Sequence, residues 1–212
     1  DDSKQNYGAP KIAKELQKLG EVIAERTVGK YMKEMGIRAQ WVKPWTTTTK
    51  ESDFSNELHN ILDEKFNPDR PNAVWCSDIT YIWTKEGFVY LTSIMNLFSR
   101  KIIAWTLSKT MQVSCVIDTI NKAKARRKID LPLIIHSDRA GQYVSREYKK
   151  ATLKMQLSYS KKAFPWDNAC IESFHSLLKR EWINRFKISD YKQAYRLVFE
   201  YIEAFYNTKR IH

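Results

Sequence analysis

The stretch Trp75-Cys76-Ser77-Asp78-Ile79-Thr80-Tyr81 decides how this chain folds. Its β-branched and aromatic residues predict a strand over Val74–Trp83, and an acidic residue stands in the middle of it. An ionised carboxylate among buried neighbours is costly unless it is paired or binds a metal, so Asp78 needs a partner. Outward from it, Lys85-Glu86-Gly87 turns the chain and Phe88–Phe98 returns as a second strand. A turn at Ser99-Arg100 leads to a third strand, Ile102–Ser108. A helix over Val113–Arg127 precedes Leu131–His136, a continuous apolar run of the kind buried on both faces of a sheet. A helix near Ser145–Met155, a short strand at Leu157–Ser160 and a helix opening near Asn168 follow. Three antiparallel strands and then alternating helices and strands predict an α/β domain, a mixed five-stranded sheet flanked by helices.

This predicted core occupies residues 71–188 of 212. Before it, residues 1–44 read as a helix–turn–helix. Pro10 suits a first helical turn, Ile12, Leu16 and Leu19 recur at helical spacing, and Gly20 ends the helix. A second helix, Glu25–Met35, would turn Val28, Tyr31, Met32 and Met35 inward and leave Arg26, Lys30 and Lys33 outside, with Gly36 as terminator. Such a basic outer face suits a DNA groove, and a plain packing hairpin looks much the same. Residues 45–70 read as a linker with four threonines and a short helix near Asn56–Glu64, closed by Pro68 and Pro71. Residues 189–212 read as a last helix, about Asp190–Asn207, with Tyr191, Tyr195, Val198, Ile202 and Phe205 on one stripe.

The formal net charge is +12 and the pI near 9.5, which points to a polyanionic partner, nucleic acid before a membrane surface. No apolar run approaches the roughly eighteen residues needed to cross a bilayer. Cys76, Cys115 and Cys170 are odd in number and far apart, against a disulfide framework and for a reducing, cytoplasmic setting. The four histidines lack metal-ligand spacing, against a zinc module. The start without Met and the stop at Arg210-Ile211-His212 suggest a piece of a longer protein.

The charge is uneven. Residues 51–100 hold eight acidic and four basic side chains inside a basic protein, while residues 101–150 hold four and eleven. Three carboxylates stand out by position. Asp78 is mid-strand; Asp138 follows the buried run Leu133-Ile134-Ile135-His136, at the strand end where ligands of such sheets gather. Glu172 lies in the first turns of a helix whose apolar stripe is Ile171, Phe174, Leu178 and Trp182, and Asp167 or Asn168 can cap that helix. Taken singly, Asp138 is equally a turn residue and Glu172 equally a first-turn carboxylate. Together they offer the oxygen ligands that suit Mg²⁺ or Mn²⁺, and two such ions would activate an attacking oxygen and steady a leaving one. Around them, Lys179 lies two turns beyond Glu172 and could hold a phosphate, and His136 and His175 flank the carboxylates as orienting or space-filling groups. Trp166 could stack on a splayed base or simply pack, and Lys124, Arg126, Arg127 and Lys128 suit the end of a helix.

Four motifs carry a resemblance. They are Trp75–Tyr81, His136-Ser137-Asp138-Arg139-Ala140-Gly141-Gln142-Tyr143, Asp167-Asn168-Ala169-Cys170-Ile171-Glu172-Ser173-Phe174, and Tyr206-Asn207-Thr208-Lys209-Arg210-Ile211-His212. With these the chain resembles the OrfB-type transposases of bacterial insertion sequences, whose core is similar to that of retroviral integrases. The resemblance implies a ribonuclease-H-like fold and a DDE triad at Asp78, Asp138 and Glu172. It also implies two Mg²⁺ or Mn²⁺ ions with DNA bound, strand cleavage followed by 3′-OH strand transfer at element ends, and a homodimer or higher assembly on double-stranded DNA. Asn6-Tyr7-Gly8-Ala9-Pro10-Lys11-Ile12 likewise resembles the opening of the family's helix–turn–helix. Thirty-three residues separate Asp138 from Glu172, slightly fewer than is usual in the family. The shortfall falls near Lys154-Met155-Gln156 and predicts a tight joint there. A nuclease of the same fold that only hydrolyses, and a non-catalytic DNA-binding derivative, are the competing readings.

Overall fold

The computed structural model describes residues 6–39, 58–129, 132–161 and 164–210. They fall into two compact units, one drawn from the span 1–47 together with Lys209 and Arg210, the other from the span 48–208.

In the smaller unit, α1 (Ala9–Lys18) and α2 (Glu25–Glu34) form a hairpin. Both helices stop in the same way. Gly20 and Gly36 adopt left-handed φ of 91° and 67°, and the following N–H groups of Glu21 and Ile37 reach back to the carbonyls of Leu16 and Met32. This caps orphan carbonyls in a conformation that favours glycine. Tyr7, Ala13 and Val28 are buried, and Gly29 lets α2 approach Ala9 closely. The predicted inward set of the second helix is corrected here: Tyr31 and Met35 are exposed, as is Leu19 of the α1 repeat. Leu19 and Met35 fall just past the last residues of α1 and α2, and Tyr31 lies at the edge of the face that Val28 and Met32 define. Arg26, Lys30 and Lys33 are exposed as predicted, Lys30 lying 3.8 Å from Glu34.

The larger unit is built on a five-stranded sheet in the order β3-β2-β1-β4-β5. Its strands are β1 (Val74–Thr84), β2 (Gly87–Asn96), β3 (Ile102–Ser108), β4 (Ile134–Ser137) and β5 (Gln156–Tyr159). β1, β2 and β3 run antiparallel in succession, and β4 and β5 join parallel. The mixed sheet follows from the connections: short turns join the first three strands, whereas α3 (Val113–Arg126) and the pair α4 (Gly141–Val144) and α5 (Arg146–Ala151) carry the crossovers. One face packs Trp75, Ile94, Ala104 and Ile135 against Val116, Ile120, Tyr143 and Tyr148 of these helices. The opposite face receives α6 (Ala169–Glu181) and α7 (Tyr191–Phe199), which continues as a π-helical turn, Glu200–Tyr206. Ile171, Phe174, Leu178 and Trp182 are all buried, as the α6 stripe predicts.

Several expectations change. The described part of the Asn56–Glu64 helix, from Leu58 on, is a turn in which Asp63 and Glu64 have φ of 45° and 57°. The helix predicted over Ser145–Met155 is shorter, α5 at Arg146–Ala151: Ser145 caps it by accepting the Tyr148 N–H, and a further short helix, α4, precedes that cap. Ala151 ends α5 and Gln156 opens β5, so Thr152–Met155 make the joint. Tyr195 is exposed rather than buried, though its ring lies 5.1 Å from that of Trp105. Asn207 binds both the N–H and the carbonyl of Ile102, tying the end of the helix to β3. Two members of the basic run at the end of α3 are structural: Lys124 binds the Ala151 carbonyl, and Arg126 binds the Ile103 carbonyl and lies 3.6 Å from Glu203.

Candidate active site

Register places the first two carboxylates. Val74, Trp75 and Cys76 of β1 pair in parallel with Ile134, Ile135 and His136 of β4. Continued two residues past its last pair, this register would set Asp78 level with Asp138. β4 ends at Ser137, so Asp138 stands just past a strand end, where its Oδ1 accepts the Ala140 N–H at 3.1 Å.

α6 brings the third. Its stripe fixes the helix against the sheet, and His175, on the turn after Glu172, faces Asp78. Burial, and then the charge of Asp78, push the Glu172 carboxyl up to about 7. Tyr143, whose hydroxyl lies 3.0 Å from Ser77 Oγ, is raised well above the usual phenol range by burial, then by Asp78, then by Asp138. Tyr143 thus feels both aspartates, and Glu172 feels Asp78. Among the described residues no three such groups sit tightly enough to cage a metal.

The two flanking histidines separate. His175 Nδ1 lies 3.2 Å from Asp78 Oδ2 and its Nε2 lies 3.2 Å from Ser93 Oγ, so the ring is held between the carboxylate and β2. Its signal in sequence was its place three residues after Glu172, on the buried side of α6. His136 contacts Ser158 Oγ at 2.8 Å and Ser160 Oγ at 3.4 Å, and burial holds its imidazole down to about 4. The unfolded chain therefore takes up a proton on this group below about pH 6.5 that the folded chain refuses until about pH 4. Stability should fall by about 1.4 kcal/mol per pH unit across that window, and His136→Gln should flatten the profile in urea melts at a series of pH values.

Lys179 lies on α6 with its Nζ 4.3 Å from the Tyr81 ring centre; burial lowers its pKa while Asp78 opposes that. Trp166 is 67% exposed, so packing does not account for it. Neither predicted residue caps α6: Asn168 makes no capping bond, and Asp167 instead accepts the Lys161 N–H. Sequence reading also missed Arg100, whose guanidinium binds Cys170 Sγ at the start of α6, the Phe66 carbonyl and Asn67.

A mixed sheet in this order, with helices on both faces, is the ribonuclease-H-like core of integrases and transposases. Models described as "Integrase core domain" match residues 68–163 and 153–212, and one described as "HTH-like domain" matches residues 1–45. The catalytic domain of Mos1 mariner transposase shares the fold, with a TM-score of 0.51 over 64% of this chain and 72% of that one at 14% identity. So does a chain of the simian T-cell lymphotropic virus intasome, with a TM-score of 0.55 over 69% of this chain and 52% of that one at 19% identity. The chain belongs to the insertion-sequence transposases. It is 38% identical, over its whole length and 84% of the relative, to the transposase for insertion sequence element IS904 of Lactococcus lactis. It is 35% identical, over 99% of its length and 74% of the relative, to transposase InsF for IS3A of Escherichia coli.

Proposed function

We propose that the protein cuts DNA at the ends of an insertion sequence and joins the freed 3′-OH to target DNA, with Asp78, Asp138 and Glu172 as the catalytic carboxylates. The register that, continued, would set Asp78 level with Asp138, beneath the helix bearing Glu172, carries this reading. An all-oxygen donor set fits a hard divalent cation such as Mg²⁺ or Mn²⁺, and the raised Glu172 carboxyl marks negative charge that lacks a cation. Bound cations would polarise the scissile phosphate and favour both the attacking and the leaving oxygen.

The chain's own residues do the rest. His175 holds Asp78 in place from behind, and Ser93 fixes the ring in turn. In the first reaction water attacks a phosphodiester and the 3′ oxygen leaves as a hydroxyl. In the second that hydroxyl attacks a target phosphodiester and displaces its 3′ oxygen, so no side-chain nucleophile is required. Residues 1–44 would read the terminal repeats, with Arg26, Lys30 and Lys33 toward phosphates, and residues 71–188 would carry the chemistry. Lys179 would hold a phosphate near the carboxylates. Two ends joined in one reaction call for a homodimer or a higher assembly on the DNA.

A precut donor duplex with a 3′-OH end, a supercoiled target plasmid and Mg²⁺ tests the activity. Joined product is expected; cleavage of the uncut donor without joining would move the assignment to a hydrolytic nuclease. In the same preparation, Arg26→Ala combined with Lys33→Ala should weaken duplex binding and reduce the slope of log affinity against log salt by about 2, read by fluorescence anisotropy.

A further inference from the structure

We propose that the outer face of the β1–β2 hairpin is a stacking platform for unpaired bases of the DNA strand held at Asp78 and Asp138, an inference that rests on the function proposed above. β4 ends at Ser137, and beyond Cys76 strand β1 pairs with β2 alone. In this arm Tyr81 pairs with Tyr90 and Trp83 with Phe88, and strand alternation puts all four rings on one face. Their strand neighbours Thr80, Ile82, Thr84 and Val89 point the other way and are buried. Tyr81, Trp83 and Phe88 are 47%, 63% and 47% exposed. The rings are already ordered: Phe88 meets Tyr81 edge-on at 5.2 Å and Trp83 at 4.8 Å.

Large aromatic side chains in mutual contact, yet left in water, call for an occupant. The surroundings favour nucleotides. Lys179 stands over the Tyr81 ring, and Lys85 and Lys187 are exposed at the hairpin tip and on the segment whose Ile188 carbonyl accepts the Lys85 N–H. Aromatic rings interleaved with cations are what a single strand needs, one for its bases and the other for its phosphates. Tyr81 lies three residues along the strand from Asp78, about 10 Å, and alternation turns the two side chains to opposite faces, so a strand whose phosphate sits at the carboxylates would reach the platform around the edge of β1 that β4 leaves free, where Lys179 stands over Tyr81 and feels the charge of Asp78. The platform would hold bases that have come out of the duplex, and so steady a frayed or overhanging end during cutting and joining.

The test measures binding without chemistry, in the full chain carrying Asp138→Asn, so it does not depend on whether the protein cuts DNA. Three probes are compared: a blunt duplex, the duplex with a short oligo(dT) overhang, and the same overhang made abasic. The dT overhang should bind about 10-fold tighter than the abasic one, a preference that survives raised salt and quenches Trp83 fluorescence. Adding Trp83→Ser and Phe88→Thr should erase the preference while leaving blunt-duplex affinity and the melting temperature unchanged. Equal affinity for the dT and abasic overhangs overturns the proposal. So does a parallel loss on all three probes, or a shift from dimer to monomer in sedimentation, which would assign the face to a second copy of the chain. Failure to cut or join DNA by the unsubstituted protein counts against the proposed function, not against this platform.

Discussion

Asp138→Asn is expected to abolish cutting and joining while duplex binding survives. The loss should be at least about a thousand-fold in rate, about 4 kcal/mol of transition-state stabilisation. The substitution is close to isosteric, and the amide oxygen can still accept the Ala140 N–H that Asp138 Oδ1 accepts now. The turn after β4 therefore keeps its anchor. What goes is a negative charge at the end of the strand that pairs with β1, the feature a hard cation requires. Single-turnover strand transfer beside a gel-shift with the same duplex separates chemistry from binding. If every DNA-linked activity is unchanged, the protein is a non-catalytic derivative that binds DNA.

Glu172→Gln should trade activity for stability. In the folded protein without cations the Glu172 carboxyl is pushed up to about 7, first by burial and then by Asp78, against an ordinary value of 4.5. Between those two values the folded chain holds a proton that the unfolded chain has released. Stability is therefore fully present below about pH 4.5 and lost as pH rises through about 7. A glutamine has no charge to desolvate, so the variant should be more stable than the parent at pH 8 and unchanged at pH 4; with the shift discounted for solvent screening of a half-buried group, the gain is about 1–2 kcal/mol. Urea melts in the presence of a chelator check the sign. Added Mg²⁺ should raise the parent's melting point by more than the variant's, since only the parent gains a partner for the buried charge. A parent that is more stable than the variant at pH 8 would sink the account of Glu172 as an uncompensated carboxylate.

Much of this was legible in the residues because the physics that wrote it is local. β3 spans Ile102–Ser108 as its β-branched run predicts, and the α6 stripe is buried at all four positions. Asp78 announced itself by standing where a carboxylate is costly. What stayed hidden depends on partners distant in sequence. That Asp78 would come level with Asp138 follows from continuing a parallel register between strands some sixty residues apart, which no local pattern specifies. His175 and His136 are both buried, and only the fold shows that one ring holds the carboxylate while the other ties β4 to β5. Leu19, Tyr31 and Met35 misled because two short helices offer each other a narrow seam, and apolar residues beyond it stay in water. The separation of α4 from α5 at Ser145 turned on a single hydroxyl accepting a backbone N–H, and such a bond competes with continuing a helix.

The wide turn at Glu200–Tyr206 makes the last helix sensitive to chain length rather than to composition. Such a turn takes up one residue more than an α-helical turn over the same path. It sets Tyr201, Phe205 and Tyr206 together around α6, with Tyr206 4.8 Å from the ring of Phe174, the residue next to His175. Were the same number of residues wound at ordinary α-helical pitch, everything after them would swing by about 100°. Phe174 would then lose the ring that backs it, and Asn207 its two bonds to Ile102. A conservative replacement anywhere in the segment leaves that phasing alone, so the spacing of this helix constrains the chain more tightly than the identity of most residues along it.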